Sequence, residues 1–271
     1  MQPPKQDGTC TAIVLAGRRP GVDPLAAHFG QPIKALIELC GKSMLARVLD
    51  TLSGNAGIGR VIVLSQEPDV LAAHMGTDWM SAHPAVSFET SGDSVSASLS
   101  EAIDAHQGAY PFLVTTADNA LLDDAMIDQF IAGARGSMAD VAVALVERQT
   151  LLAAYPGNKR TWLTFRGGAY SGANLFWFAT PKASKVLSLW RRIEQERKRA
   201  RAVVGAFGPL LLAAVTLRLV TLKQATAWVS WRMGLRATAV ELPIAEACID
   251  IDKVEDHSLA ERIIVHRGTI A

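Results

Sequence analysis

The apolar positions of the chain fall into two kinds of run. Short continuous ones at 11–16, 60–65 (RVIVLS), 111–116 (PFLVTT) and 140–146 read as buried strands, with a weaker strand at 86–89. The run at 111–116 is apolar throughout, which predicts a central strand. Between the runs the spacing turns helical. Ser43 stands as a cap before apolar Met44, Leu45, Val48, Leu49 and Leu52, and 55–59 is a glycine-containing stop. A short helix is expected over 69–75, and Asp123 should cap a helix over 125–134. The apolar piece at 33–39 has neither period. Beyond residue 146 come a Tyr-Pro-Gly turn at 155–157, an edge strand at 161–165 and a strand at 170–178 (YSGANLFWF). Strands are expected again at 238–242 and 247–251, then a last helix from Lys253 through Arg267.

One stretch, 181–236, departs from this pattern. It opens as a basic helical run (181–201) and continues as AVVGAFGPLLLAAVTLRLVTL, about the length that spans a bilayer. Gly205, Gly208 and Pro209 interrupt that run and Arg218 sits near its end, so a span is not expected. The segment reads as a helical insertion that packs on the domain as a lid or forms a dimer contact. Its basic flank, its apolar face and Trp228 and Trp231 are also the features of an interfacial membrane element.

With 271 residues, 49% of them hydrophobic, the chain suffices for one large α/β domain, here with core 9–180 and 237–267 and the insertion between. The net charge of +1 gives no sign of a nucleic-acid partner. Cys10, Cys40 and Cys248 are far apart, which suggests neither a disulfide framework nor a cysteine zinc site. The polar start MQPPKQDG has no apolar signal region, so a cytoplasmic protein is expected, with the inner face of the membrane open to it through 181–236. The six histidines lack metal-ligand spacing and read as structural or solvated.

The candidate chemistry gathers at strand ends. The first strand stops at Gly17, and Arg18, Arg19, Pro20 and Gly21 follow. A glycine there lets backbone N–H groups approach an anion, two arginines stand beside it, and Lys34 supplies a third cation. A nucleoside triphosphate fits that loop, although a first turn with solvated arginines has the same letters. The pattern is neither a Walker P-loop nor GxGxxG. The central strand ends in Ala117-Asp118-Asn119. Asp118 is the candidate ligand for Mg²⁺, which takes one or two carboxylates plus substrate phosphates. Residues 91–99 (SGDSVSASL) open a helix, capped by Ser91 or Asp93.

LAG-x-R, the following lysine and Gly41-Lys42-Ser43-Met44-Leu45 together resemble the signature of GT-A-like nucleotidyltransferases. The nearest pattern is that of the MobA-like, or molybdopterin nucleotidyltransferase-like, NTP transferase domains, beside the sugar-phosphate nucleotidylyltransferases. The usual form, LAAGxGxRxG, is compressed here, with Arg18 and Arg19 where glycine and small residues usually stand. The resemblance runs over 12–178 and 238–264. It implies a three-layer α/β/α sandwich with a mostly parallel sheet, Rossmann-like, plus the helical insertion. It places Leu15, Ala16, Gly17 and Arg19 on the nucleotide, and Gly92, Asp93, Ser94 and Ser98 against its base. Gly172 and Asn174 fall on the acceptor side. The closing stretch ACIDIDKVEDHSLAERI resembles the family's D-x-D motif, so Asp252, with Asp250 as alternate, completes the metal site with Asp118. The implied activity is Mg²⁺-dependent transfer of an NMP, CMP favoured, from a triphosphate to a phosphorylated alcohol or sugar. Lys34 and Arg18 are the catalytic candidates. A GT-A glycosyltransferase using a nucleotide sugar and a non-catalytic, membrane-recruited nucleotide binder are the alternatives.

Overall fold

The computed structural model describes residues 8–18, 21–74, 76–92, 94–195 and 208–270. Among these the chain forms one eight-stranded mixed sheet and a separate two-stranded ribbon. The strands are β1 (Cys10–Leu15), β4 (Ile58–Ser65), β5 (Val86–Thr90), β6 (Phe112–Thr116), β7 (Val141–Glu147), β8 (Leu163–Phe165), β9 (Gly168–Phe178) and β10 (Ala237–Glu241). Their order is β10-β7-β9-β6-β1-β4-β5, with β8 paired to β9. β1, β4, β5 and β6 run parallel, and β9 is antiparallel to both its neighbours. The run at 112–116 is central, as its unbroken apolarity requires.

Alternation along β1 builds the layers. Ala12 and Val14 face one core, with Leu45, Leu49 and Leu52 of α2 (Met44–Gly54) and Ile127 and Phe130 of α6 (Asp124–Gly136). Ile13 faces the other, with Leu99 and Ile103 of α5 (Val95–Ala105) and Leu187 of α8 (Ser184–Gln195). This is a three-layer α/β/α sandwich with a mostly parallel sheet.

The expected caps hold at Ser43 and Asp123, whose side chains accept from the Ala46 and Met126 N–H groups. Two expectations are corrected and two elements had no forecast. The α5 cap is Ser94, not Ser91 or Asp93, because the Ser94 hydroxyl accepts from the Ala97 N–H. The piece at 33–39 becomes a 3₁₀ turn (Lys34–Leu36) and the first strand of the ribbon, β2 (Glu38–Leu39) paired with β3 (Lys42–Ser43). The strand expected at 247–251 is a 3₁₀ turn (Ala245–Cys248) and irregular chain. Its apolar residues are buried without alternation, and one backbone bond, from the Ile251 N–H to the Asp118 carbonyl at 3.2 Å, ties it to the sheet edge. A helix over Arg148–Ala154, α7, was not foreseen; Leu151 alone among its residues is fully buried, too little for a legible period.

The insertion leaves β9 through a 3₁₀ turn (Pro181–Ala183) and α8. It returns through α9 (Pro209–Thr216) and α10 (Leu222–Met233) to β10, which lies beside β7. No described helix is long and apolar enough to cross a membrane. The chain closes on α11 (Val254–Ile270).

Candidate active site

Because β1, β4, β5 and β6 are parallel, their following loops meet at one sheet edge, where open α/β sheets bind ligands. Leu15 lies level with Leu64 and Thr116. The loops enclose a cleft of about 610 Å³, lined at one end by Ser91, Gly92 and Ser98 and at the other by Lys34, Asp118 and Asp252.

Lys34 is the hub of the second end. Its ammonium lies 2.7 Å from Asp118 Oδ2 and 2.5 Å from Asp252 Oδ1, joining residues 84 and 218 positions away. Burial would lower its pKa, but the Asp118 charge and the hydrogen bonds to both carboxylates outweigh this and hold it above the ordinary value. Lys34 therefore stays charged. The Thr116 hydroxyl donates to Asp118 Oδ1 and fixes that carboxylate at the strand end. The Asp252 and Lys253 N–H groups both donate to Asp256 Oδ2, which sets the loop before α11 as an acidic residue in a first helical turn does.

Asp250 is held differently. It pairs with Arg160 through one oxygen and accepts from Asn174 Nδ2 at 3.3 Å through the other. Its pKa is raised by burial; Arg160 opposes the shift, and Asp252 and Asp118 reinforce it. Arg160, nearly buried, also pairs with Asp256 at 3.0 Å. It is the counter-charge of the acidic loop.

The other candidates divide. Leu15, Ala16 and Gly17 line the cleft, with the Ala16 N–H bonded to Leu64 and the Ala117 N–H to Leu15. Arg18 lines it too, half exposed, its Nε 3.5 Å from Glu67. Ser98 donates to the Ser94 carbonyl and accepts from the Gly92 N–H at 2.8 Å, so it braces the loop before α5 from inside. Asn174 lines the cleft on a left-handed backbone (φ 49°); Gly172 lies in the β7–β9 ladder opposite Leu145. Arg19 and Asp93 lie outside the described residues.

Two site residues were missed. Gln66, just after β4, accepts from the Arg18 N–H at 2.9 Å and donates to the Arg18 and Gly92 carbonyls at 3.2 Å. It staples the Gly17 loop to the loop at 91–98, and an added Cβ at Gly17 would lie 2.8 Å from its Oε1. A polar residue immediately after a buried strand was the available signal. Glu194, on α8, reaches the opening of α5. It accepts from the Ser94 and Ser96 hydroxyls and the Val95 and Ser96 N–H groups. Burial disfavours its charge, but these bonds, led by the Ser96 hydroxyl, outweigh it and hold the carboxyl below its usual range. With Trp190, it makes the insertion one wall of the cleft.

The donor set fits a hard divalent cation. Asp118 and Asp252 already converge on one cation, the Lys34 ammonium. Among the described residues no group of three or more His, Cys, Asp or Glu could hold a metal alone. Phosphate oxygens would have to complete the shell, which is how Mg²⁺ usually binds at such sites.

Residues 12–214 match the MobA-like NTP transferase domain. The chain belongs to that family. This MobA-like chain is 33% identical over 197 residues to the bifunctional enzyme IspD/IspF of Sphingopyxis alaskensis, covering 72% of its own length and 45% of that protein's. It thus spans less than half of this curated relative. A transferase of Thermus thermophilus, described as hypothetical, superposes with a TM-score of 0.75 at 26% identity, over 92% of this chain and 99% of that one. The 4-diphosphocytidyl-2C-methyl-D-erythritol synthase of Anaerococcus prevotii superposes at 0.57 with 11% identity, over 94% and 96% of the two chains. A CMP-2-keto-3-deoxy-manno-octonic acid synthetase solved with CTP also gives 0.57, at 15% identity over 96% and 100%. These last two share the fold.

Proposed function

We propose that this MobA-like chain transfers an NMP, CMP favoured, from a nucleoside triphosphate to a phosphorylated alcohol or sugar and releases pyrophosphate. The observation that carries this is Lys34 held between Asp118 and Asp252 at the carboxyl edge of the central strands, beside the Gly17 loop. An acceptor phosphate oxygen attacks the α-phosphorus, the new P–O bond forms, and the bond to the β-phosphate oxygen breaks. The acceptor phosphate is already ionised, so no strong general base is needed. Catalysis is then positioning and charge. Lys34 neutralises the α-phosphoryl group, and Arg18, with Arg19, grips the β- and γ-phosphates. Leu15 to Gly17 present backbone to the nucleotide, the Gly92–Ser98 loop meets the base, and Asn174 and Gly172 face the acceptor. Mg²⁺ bound by Asp118 and Asp252 would supply charge neutralisation at the α-phosphate, with Asp250 retained by Arg160.

Cytidine is favoured because CTP is the natural donor for activated alcohols and head groups; the CTP-complexed synthetase contributes its fold to this reading and nothing more. Nucleotide-sugar transfer fits less well. Thr116 and Ala120 stand two positions either side of Asp118, so no Asp-x-Asp motif closes the central strand, and Lys34 would be idle.

The test is pyrophosphate release with Mg²⁺, each of the four ribonucleoside triphosphates and a panel of phosphorylated alcohols and sugars. Lys34→Ala and Asp118→Asn should each lower turnover about 100-fold or more with the fold retained. Wild-type rates in either variant would refute the assignment.

A further inference from the structure

The charge of this chain is unevenly spread. Residues 197–240 contain eight Lys and Arg and no Asp or Glu, whereas the other 227 residues hold 19 cations against 26 acids. A chain of net charge +1 is thus an acidic body carrying one strongly basic segment. The described part of that segment is α9, α10 and their connections.

These two helices pack on each other, and α9 packs against β8. The Arg166 N–H donates to the Val220 carbonyl at 2.8 Å, fixing the turn between the helices to the domain, and Leu211 and Ala225 are buried beneath. The outer positions are not what a solvated pair of helices needs. Leu210 is 71% exposed, Leu217 68%, Leu219 60% and Trp231 77%. Leu210, Ala213 and Leu217 follow one another at helical spacing along α9, all exposed. Trp231 stands edge-on to Trp228, ring centroids 6.0 Å apart. Exposed cations are interleaved with them: Arg218 lies between Leu217 and Leu219, Lys223 opens α10 and Arg232 follows Trp231.

We infer that α9 and α10 form a docking surface for an anionic lipid bilayer, entered at the interface and not spanned. Exposed leucines and tryptophan supply the apolar face and the acid-free cation set supplies attraction to anionic headgroups, the two ingredients of interfacial binding. A second copy of this chain fits worse: a two-fold contact would set the same cations against each other with no acid in the segment to neutralise them. Nucleic acid would neutralise the cations but leave the leucines and Trp231 without a partner. The inference is independent of the catalytic reading, since docking needs no nucleotide.

The experiment is co-sedimentation of the full chain with vesicles of phosphatidylcholine alone or mixed with phosphatidylglycerol, without nucleotide. Binding is expected to the anionic vesicles and should weaken with added salt. The double variant L217S/W231S should bind at least about tenfold more weakly, and R218Q/K223Q/R232Q should lose the preference for anionic lipid. Both change exposed side chains, so far-ultraviolet circular dichroism and thermal melting should match wild type. Any one of three results would overturn the inference: no binding to anionic vesicles, equal binding by L217S/W231S, or a dimer in solution that L217S/W231S converts to monomer. Preferential binding of duplex DNA that vesicles do not displace would overturn it as well. Loss of pyrophosphate release with vesicle binding intact would count against the catalytic proposal alone.

Discussion

Asp140 ties both ends of the insertion to the sheet, and its removal has a calculable cost. The carboxylate is buried, 2% exposed. It accepts from the Arg236 N–H at 2.8 Å and the Thr180 hydroxyl at 3.0 Å, with Lys182 Nζ at 3.5 Å. Thr180 and Lys182 flank the start of the insertion and Arg236 is its last residue. Asp140→Ala strands the backbone donor and leaves the threonine hydroxyl to seek water; buried unpaired donors cost about 1–3 kcal/mol each. The Lys182 and Arg236 side chains are more than half exposed and add about 0–1 kcal/mol. The sum is about 1–4 kcal/mol, or about 2–16 °C in Tm for a chain of this size. Asp140→Asn keeps one acceptor oxygen and should cost about half as much. The bond from the Arg236 N–H, helped by Thr180 and Lys182 and opposed by burial, holds the Asp140 carboxyl below its usual range. A carboxyl depressed in the folded state stabilises above its unfolded pKa and loses that contribution as pH falls through the folded one. The stability gap between wild type and Asp140→Asn should therefore be level above about pH 5 and close below about pH 4. Urea titrations across that range measure it. A gap under about 1 kcal/mol for Asp140→Ala, or one that widens on acidification, would refute the reasoning.

Three further outcomes follow from the site. Glu194→Gln keeps the shape of the contact with α5 but removes the charge; initial rates should show KM for the triphosphate up about fivefold at unchanged kcat, and an equal fall in kcat would argue against a positioning role. Arg160→Met leaves Asp250 and Asp256 without their cation near Asp118 and Asp252; denaturant titration should show a loss of about 3–5 kcal/mol, and a loss under 1 would show the pairs to be dispensable. Chelating divalent cations should weaken binding of a non-hydrolysable triphosphate at least about tenfold, read by calorimetry, as well as stopping transfer.

Much of the sheet was legible because its strands are continuous apolar runs that differ plainly from the spaced apolar positions of α2 and α6. The residues that face the cleft from those strands were legible for a related reason. A glycine after 11–16 and an aspartate after 112–116 are abrupt changes of residue type at a strand end. What escaped was held by single long-range contacts. The stretch at 247–251 looks like a strand because it is a short, mostly apolar run, but its burial comes from packing under the sheet edge, and among the described residues no ladder pairs it. Glu194 is one acid in a run whose legible feature was its excess of lysines and arginines. Only the folded chain brings it 98 positions back to Ser96.

The electrostatics of the site carry one more step. Asp118, Asp250, Asp252 and Asp256 face two cations, Lys34 and Arg160, through four ion pairs. Counted formally, the cluster holds two negative charges more than it neutralises. Burial and the neighbouring Asp252 and Asp118 push Asp250 toward its neutral form, the response expected where carboxylates outnumber cations. A triphosphate is itself a polyanion, and it would meet this excess on entering. Arg18 offers only a half-exposed guanidinium shared with Glu67, too weakly placed to offset it alone. A divalent cation held by Asp118 and Asp252 would restore the balance where those carboxylates converge. The acidic excess therefore predicts that triphosphate binding requires a divalent cation, and that Asp250, paired with Arg160, would stay out of its shell.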